Sequence, residues 1–346
     1  MSVIIKYCKT ALFMKSTPAL ITLLLIICCL SSCGVKRSST TNNQSFDELE
    51  NSILVQNANS AFPLPEVPES INDNRQRAIY LSKNYWESFN FNDTSLISQI
   101  EITEQGFVDY IHILNYIPFN DAKKSQKILF NQAKEHPKMY AHFASLFQKY
   151  YYDKDSPFRN EELYIPVLDI ILKSKILSAG DKESYDFQRE MIHKNRVGTK
   201  ASDFIYTLPN GESNRMRAFK SDYLLLLFSH PNHPDCVSVR EDINNSEILK
   251  KVFSHNSFNR NMLMVINIYP GNDIMLWREE LSSMSKENWI NAYDKGMVIT
   301  KERVFDIQDI PTIYLLDKNK RIILKDASLE EIESFFSTQQ SIKGRI

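Results

Sequence analysis

Apolar residues recur at helical spacing through a long block of the chain, from residue 71 to residue 195. Within 73–89, for example, Ala78, Leu81 and Tyr85 fall near one face of a helix, which repeats every 3.6 residues. The connections between such segments are short, and short connections favour antiparallel neighbours in a bundle. The pattern therefore predicts an all-α domain over residues 71–195, with helices at 73–89, 103–117, 121–136, 137–153, 161–177 and 180–195.

The pattern changes near residue 197, where short apolar runs rich in Ile, Leu, Val and Tyr begin to alternate with helical stretches. Strands that alternate with helices indicate an α/β sheet. The tripeptide KNK (318–320) alone separates the last two runs, so we expect these strands to form an antiparallel hairpin. An α/β domain is predicted over residues 197–340, with strands at 203–208, 223–228, 263–269, 312–317 and 321–326 and helices at 236–253, 273–284 and 328–339.

The N-terminus has the pattern of a bacterial lipoprotein signal. Lysines precede an apolar run at 19–30, which is too short to cross a bilayer comfortably. The tetrapeptide LSSC that ends at Cys33 resembles a lipobox, so we expect cleavage before Cys33 and acylation of that cysteine. Residues 1–32 are then a signal peptide, with translation starting at Met1 or Met14. An uncleaved membrane anchor is the alternative interpretation.

A lipid on Cys33 predicts where the protein works. Its first partner would be a membrane, and the protein would be lipid-anchored in the cell envelope. Gly34 rather than Asp follows the cysteine, and by analogy with lipoprotein sorting this favours the outer membrane, facing the periplasm. Residues 33–70 have the composition of a tether, polar at first and then proline-rich in FPLPEVPES (62–70).

Composition and charge argue against several other classes of function. The chain has 346 residues, with 41 Lys and Arg against 42 Asp and Glu, and no dominant basic segment. Nucleic acid is therefore not an expected partner. Only 8 glycines are present, and neither GxGxxG nor GxxxxGK[ST] occurs. Because those patterns build phosphate-binding loops, we expect no cofactor.

The order of elements in the predicted α/β domain resembles that of thioredoxin-like proteins. VGTKASDFIYTLPNGE (197–212) resembles the lead-in of peroxiredoxin-like and membrane-tethered thioredoxin-like proteins, and FDIQDIPTIYLLDKNKRII (305–323) resembles their cis-proline strand and closing hairpin. The resemblance implies a thioredoxin-like fold in which Pro311 follows a cis peptide bond. It also implies that Ile310, Pro311 and Thr312 bind an extended substrate beside the active-site cysteine.

The predicted helical domain carries a second resemblance. The segment YLSKNYWESFNFNDTSLI (80–97) is similar to an uncharacterised helical domain found upstream of thioredoxin-like domains in bacterial lipoproteins. That family has no established activity, so the resemblance implies an architecture and no chemistry.

Cys236 is the candidate nucleophile. The other four cysteines lie within the first 33 residues, so Cys236 is the one thiol of the processed chain and no intrachain disulfide is expected. The segment HPNHPDCVSVR (230–240) places it after a buried strand and at the start of a helix, where the resemblance puts the redox cysteine. Val239 stands three residues later, where a second, resolving cysteine is expected, so the dithiol motif is incomplete.

Neighbouring residues should tune the pKa of the Cys236 thiol. A helix N-terminus lowers a thiol pKa, and we expect Pro234 to start this helix and Asp235 to cap it. Arg240 lies one turn further along and favours the thiolate, whereas the charge of Asp235 disfavours it. His233, Asp235 and Arg240 form the predicted pKa-tuning set, and the direction of the net shift in the Cys236 pKa is left open.

Four interpretations of Cys236 follow, and monothiol exchange comes first. Cys236 would form a mixed disulfide with an envelope protein or a small thiol, and an external thiol would resolve it. A redox-inactive thioredoxin-like binding module is the close alternative. A one-cysteine peroxidase is less favoured, because His233 and Ser229 replace the Thr or Ser and the Pro of peroxiredoxins. A metal site of His230, His233 and Cys236 is also less favoured, because two prolines interrupt the segment, so no metal is predicted.

Overall fold

Six α-helices form the N-terminal part of the computed structural model, which describes residue 62 and residues 64–343. They confirm the predicted all-α domain. A short 3-10 helix (Thr94–Ser98) lies between the first two. No helix among these described residues is long and apolar enough to cross a membrane. The helices are α1 (Asn74–Asn84), α2 (Ile100–Leu114), α3 (Phe119–Ala133), α4 (Pro137–Tyr151), α5 (Glu161–Lys173) and α6 (Ala179–His193).

Aromatic side chains form the centre of the helical domain. Tyr85, Trp86 and Phe143 are buried, and the ring centroids of Trp86 and Phe143 lie 4.8 Å apart. Phe62 packs against the same group, with its ring centroid 5.1 Å from that of Tyr85. A Cβ atom at Gly106 would lie 3.0 Å from the Phe62 ring, so the glycine makes room for it. Phe62 falls in the predicted tether, but its burial makes it part of the helical domain.

The C-terminal part confirms the predicted α/β class. Its strands form one seven-stranded sheet in the order β2-β1-β5-β4-β3-β6-β7. Strands β3, β4 and β5 are parallel, and β6 runs antiparallel to β3. The elements are β1 (Ile205–Thr207), β2 (Ser213–Arg215), β3 (Tyr223–Phe228), α7 (Pro234–Asn245), α8 (Glu247–Phe253), β4 (Leu263–Tyr269), α9 (Ile274–Glu280), β5 (Trp289–Tyr293), α10 (Val298–Lys301), β6 (Thr312–Asp317), β7 (Ile322–Lys325) and α11 (Leu329–Lys343).

The central strand β3 leads to the candidate nucleophile. Leu224, Leu226 and Phe228 lie in the hydrophobic core on one face of the sheet, and Leu225 and Leu227 lie in the core on the other face. Successive side chains of a strand point to opposite faces, so a strand covered on both sides reads as a continuous apolar run. This explains why YLLLLF predicts β3 with the same bounds that the structure has.

Some elements differ from the predicted pattern. Strand β2 is fully exposed and carries no apolar residue, and strand β5 buries Trp289 and Ala292 without strict alternation, so neither is predicted. The predicted helix 236–253 is divided into α7 and α8. Ser246 ends the first and caps the second by accepting a hydrogen bond from the N–H of Leu249. A serine side chain that satisfies a free N–H group is what permits a new helix to begin there.

Charged side chains join the helical domain to the sheet. Arg159 contacts Asp326 at 2.5 Å and Glu161 at 3.1 Å, and Lys325 contacts Glu161 at 2.9 Å. These four side chains are at most 18% exposed. Removing one partner of a buried pair leaves an uncompensated charge, so the network ties the helical domain to the strand that follows the predicted hairpin turn.

Candidate functional site

Cys236 lies in the first turn of helix α7, after strand β3 and a short loop (229–233). Pro234 occupies the first position of the helix and Cys236 the third. The sulfur accepts a hydrogen bond from the backbone N–H of His230 at 3.3 Å. Cys236 is 0% exposed. The thiol therefore stands at a helix start, as the sequence predicts, but solvent does not reach it.

His233, three residues before Cys236, is exposed at the start of α7. It is the N-cap residue, and its side chain is 45% exposed. The prediction that Asp235 caps the helix is wrong, because the helix begins at Pro234 and Asp235 lies inside its first turn. A proline suits the first helical position, since its missing N–H would be unpaired there in any case, and the residue before it becomes the cap.

His233 and Cys236 have the spacing of a CxxC pair. A reactive cysteine needs both a helix N-terminus and partial exposure, and in this pair only His233 has the exposure. Val239, where the sequence interpretation places the missing cysteine, instead packs against the core under the sheet. The position where the motif lacks a cysteine is therefore His233, three residues before Cys236. The tetrapeptide HPDC carried this signal in the sequence, but burial was needed to recognise it.

The structure gives a direction for the pKa of the Cys236 thiol. Burial raises it, and the charges of Asp235 and Asp309 raise it further. The hydrogen bond from His230 and the charge of Arg240 lower it but do not outweigh burial. A raised pKa means less thiolate at neutral pH than an exposed cysteine has.

Arg240 reaches the cysteine loop rather than solvent. It is 6% exposed, and burial lowers the pKa of its guanidinium. Its nitrogens donate hydrogen bonds to Ser229 Oγ at 3.3 Å, to the His230 carbonyl at 3.1 Å and to the Pro231 carbonyl. Ser229 Oγ in turn donates to Asn267 Oδ1 at 2.5 Å. Arg240 thus braces the loop that precedes the cysteine, and its charge partly opposes the rise in the thiol pKa.

The Ile310–Pro311 peptide bond is cis, as the resemblance predicts. Thr312, the first residue of β6, pairs with Phe228, the last residue of β3, so the cis-proline loop (305–311) lies at the same sheet edge as the cysteine loop. Within this loop, the Ile310 N–H donates to Asp309 Oδ1 at 2.8 Å. The predicted set of Cys236, Ile310, Pro311 and Thr312 is therefore brought to one end of the sheet.

Asp309 links this edge of the sheet to the helical domain. Lys154, just after α4, contacts Asp309 Oδ2 at 2.5 Å. This hydrogen bond, the Ile310 N–H and the charge of His233 hold the pKa of the Asp309 carboxyl below its usual value. The helical domain therefore contributes a charged group beside the cis-proline, which nothing in the local sequence indicates.

The histidines of the segment do not converge on Cys236. The His230 ring packs edge-on against Tyr269, with centroids 5.4 Å apart, and His233 Nδ1 lies 3.8 Å from Asp235 Oδ2. Among residues 62 and 64–343, no group of three or more His, Cys, Asp and Glu side chains could hold a metal ion. The proposed ligand set of His230, His233 and Cys236 is not assembled in this part of the chain.

Three solved structures illustrate what this chain is similar to. A thioredoxin-like protein from Bacteroides caccae is 37% identical, with a TM-score of 0.73, over 81% of this chain and 99% of that one. The C-terminal domain of an uncharacterized protein from Bacteroides fragilis is 36% identical over 41% and 98% of the two chains, with a TM-score of 0.39. The thioredoxin domain of a thiol-disulfide oxidoreductase from Bacteroides vulgatus is 17% identical over 42% and 97%, with a TM-score of 0.34.

A family model, Domain of unknown function (DUF5106), matches residues 33–195. This match agrees with the predicted resemblance of the helical part to an uncharacterised domain upstream of thioredoxin-like domains. No curated protein gives a significant match. The alignment with the Bacteroides caccae protein is longer than either part of the chain alone, so the combination of both parts occurs in that relative as well.

Proposed function

The chain belongs to the thioredoxin-like proteins, and on that premise we propose that its C-terminal domain binds an extended segment of another protein beside Pro311 without a dithiol cycle. Thioredoxin-like proteins pair such segments with the backbone next to the cis-proline. Here that part of the site is retained, with Ile310 partly accessible and Asp309 exposed. The chemistry that would follow binding is restricted, because the chain has one thiol at the site and that thiol is buried.

The burial of Cys236 carries this proposal. Thiol–disulfide exchange requires a thiolate to approach one sulfur of a disulfide directly. Cys236 is 0% exposed and its pKa is raised, so it offers neither access nor a stable thiolate. The exposed N-cap residue of the helix is His233, which cannot form a mixed disulfide. A buried cysteine without these features behaves as a small apolar side chain.

Monothiol exchange through Cys236 is the second candidate function. The N–H of His230 on the sulfur and the charge of Arg240 both stabilise the thiolate. If the loop 229–233 opened, the thiolate would attack a partner disulfide, form one new S–S bond and release the other partner sulfur as a thiolate. A second, external thiol would then attack the mixed disulfide and free Cys236. Such a protein would transfer a disulfide without forming one of its own.

Alkylation of the full soluble chain with iodoacetamide, followed against pH, separates the two functions. For a binding module we expect native Cys236 to react more than about tenfold more slowly than the unfolded chain, since about 1.4 kcal/mol of opening free energy reduces the accessible population tenfold. The matched control is Ser238→Cys in a Cys236→Ser background, which places an exposed thiol on the same helix. If native Cys236 reacts as fast as this control, monothiol exchange replaces binding as the function.

We also propose that the protein is a lipoprotein, with residues 1–32 removed and Cys33 acylated. Cys33 lies outside the described residues. The family match supports the proposal because it begins at residue 33, the expected first residue of the mature chain. The protein would then be held in the envelope, at the periplasmic face of the outer membrane. Labelling with a fatty-acid probe tests this: the native chain should incorporate it, and Cys33→Ser should lose both the label and membrane association.

A further inference from the structure

We infer that the helical domain forms one wall of the partner site, so that the extended segment lies in a cleft between residues 145–155 and residues 308–309. The inference rests on the proposed function and names where the partner binds. This interdomain cleft has a volume of about 670 Å³. Ligand sites usually have volumes of about 300–1,000 Å³, so the cleft is large enough to hold several residues of a chain.

Lys154 and Asp309 close the cleft at the end nearest Pro311. Asp309 holds the ammonium of Lys154 at 2.5 Å with one carboxylate oxygen and the Ile310 N–H at 2.8 Å with the other. The backbone donor next to the cis-proline is therefore occupied from within the chain. An incoming segment could take its place by offering a backbone carbonyl to Ile310, in the way that an added strand pairs with a sheet edge.

Displacing Asp309 requires little free energy, whereas displacing Asp306 at the base of the same loop requires more. The side chains of Lys154 and Asp309 are 32% and 58% exposed, and ion pairs this accessible contribute about a twofold to fivefold factor to an equilibrium. Asp306, by contrast, is 5% exposed and accepts hydrogen bonds from Gln308 at 3.1 Å and Tyr152 at 3.4 Å. The base of the loop therefore stays in place while Asp309 can be displaced.

The charges of the cleft favour a polypeptide over a small anion. Its two lysines are already paired, Lys154 with Asp309 and Lys149 with Glu104. Neither is left to bind a phosphate or carboxylate without breaking an existing pair. The other acceptors include the carboxylates of Asp153 and Asp155, which repel a small anion, and neutral groups such as the Gln308 amide and the Ser145 hydroxyl suit the amide groups of a main chain.

Photocrosslinking tests the position of the segment. The probe is reduced lactalbumin with its thiols blocked by iodoacetamide, an unfolded chain that cannot exchange disulfides. Benzoylphenylalanine replaces Ser145 on the helical wall, Gln308 on the opposite wall, or Phe258 as a control in the full soluble chain. Phe258 is completely exposed in the turn that precedes β4, at the opposite end of the parallel strands. We expect labelling from Ser145 and Gln308 and none from Phe258.

The ion pair between Lys154 and Asp309 gives a second readout of the same experiment. Lys154→Ala should raise labelling from Gln308 about twofold to fivefold, because the probe displaces Asp309 more readily once the ion pair no longer holds it in place. Lys83→Ala, which removes a similarly exposed lysine paired with Asp121 outside the cleft, should leave it unchanged. Labelling from Gln308 alone would overturn the inference and leave the proposed function intact. Labelling from all three sites, from none, or without a response to Lys154→Ala would also overturn it, and the alkylation test would still decide the proposed function.

Discussion

The cysteine loop (229–233) and the cis-proline loop (305–311) meet at one sheet edge but are held in different ways. Arg240, 6% exposed, fastens the cysteine loop from within through Ser229 and two backbone carbonyls. The tip of the cis-proline loop is held from outside, by Lys154 of the helical domain. Buried charges are costly to disturb, whereas exposed ion pairs exchange readily. The comparison indicates that the thiol side of the site is closed and the binding side is adjustable.

The largest expected effect is on the closed side. Arg240→Ala should destabilise the protein by about 3 kcal/mol, because the acceptors of the cysteine loop lose a buried charged donor. Urea denaturation measures the free energy of unfolding. Arg278→Ala, an exposed arginine of α9 without an ion pair among the described residues, is the control and should change stability by less than about 0.5 kcal/mol. Equal, small losses for both variants would show that Arg240 does not hold the loop.

Introducing a second cysteine beside Cys236 should have an intermediate effect on stability, and that effect should depend on where the cysteine is placed. His233→Cys creates a Cys-x-x-Cys motif with Cys236, and we expect it to oxidise to a disulfide worth up to about 2 kcal/mol for so short a loop. Thiol counting and unfolding with and without reductant measure this. Val239→Cys has the same spacing on the other side, but its side chain faces the core and both thiols should stay reduced. A disulfide in Val239→Cys and none in His233→Cys would show that Val239, and not His233, occupies the position of the missing cysteine.

The smallest expected effects are on the pH dependence of stability, which should differ between the cysteine loop and the cis-proline loop. The Cys236 pKa is raised, so its contribution to stability is complete below the pKa of an unfolded thiol and is lost as pH rises through the higher native value. The Asp309 pKa is lowered, so its contribution is present above the ordinary Asp value of about 3.9 and is lost as pH falls through the lower native value. Cys236→Ser should flatten only the alkaline limb of stability against pH, and Asp309→Asn only the acidic limb. A variant that changed the other limb would contradict these assignments.

Much of the architecture was predictable because its signals are local. Helical periodicity marks the N-terminal domain, and the runs that form β3, β4 and β6 are buried on both faces and therefore predominantly apolar, with Asn267 the polar residue inside β4. Strand β2 is exposed and strand β5 alternates poorly, so neither has a pattern to recognise. The boundary between α7 and α8 depends on a single serine cap in an otherwise helical stretch.

Three properties were predictable from the sequence: a thioredoxin-like domain follows a helical one, Pro311 lies beside the position of the redox cysteine, and Cys236 is the one thiol at that position. These predictions depend on helical and strand periodicity, on the resemblance to thioredoxin-like proteins and on the positions of the cysteines. The tertiary structure was needed to show that Cys236 is the buried member of its pair, with His233 exposed three residues before it. It also decided that Lys154, from the other domain, reaches Asp309. Burial and charge pairing are set by residues distant in the chain, so no local pattern could encode them.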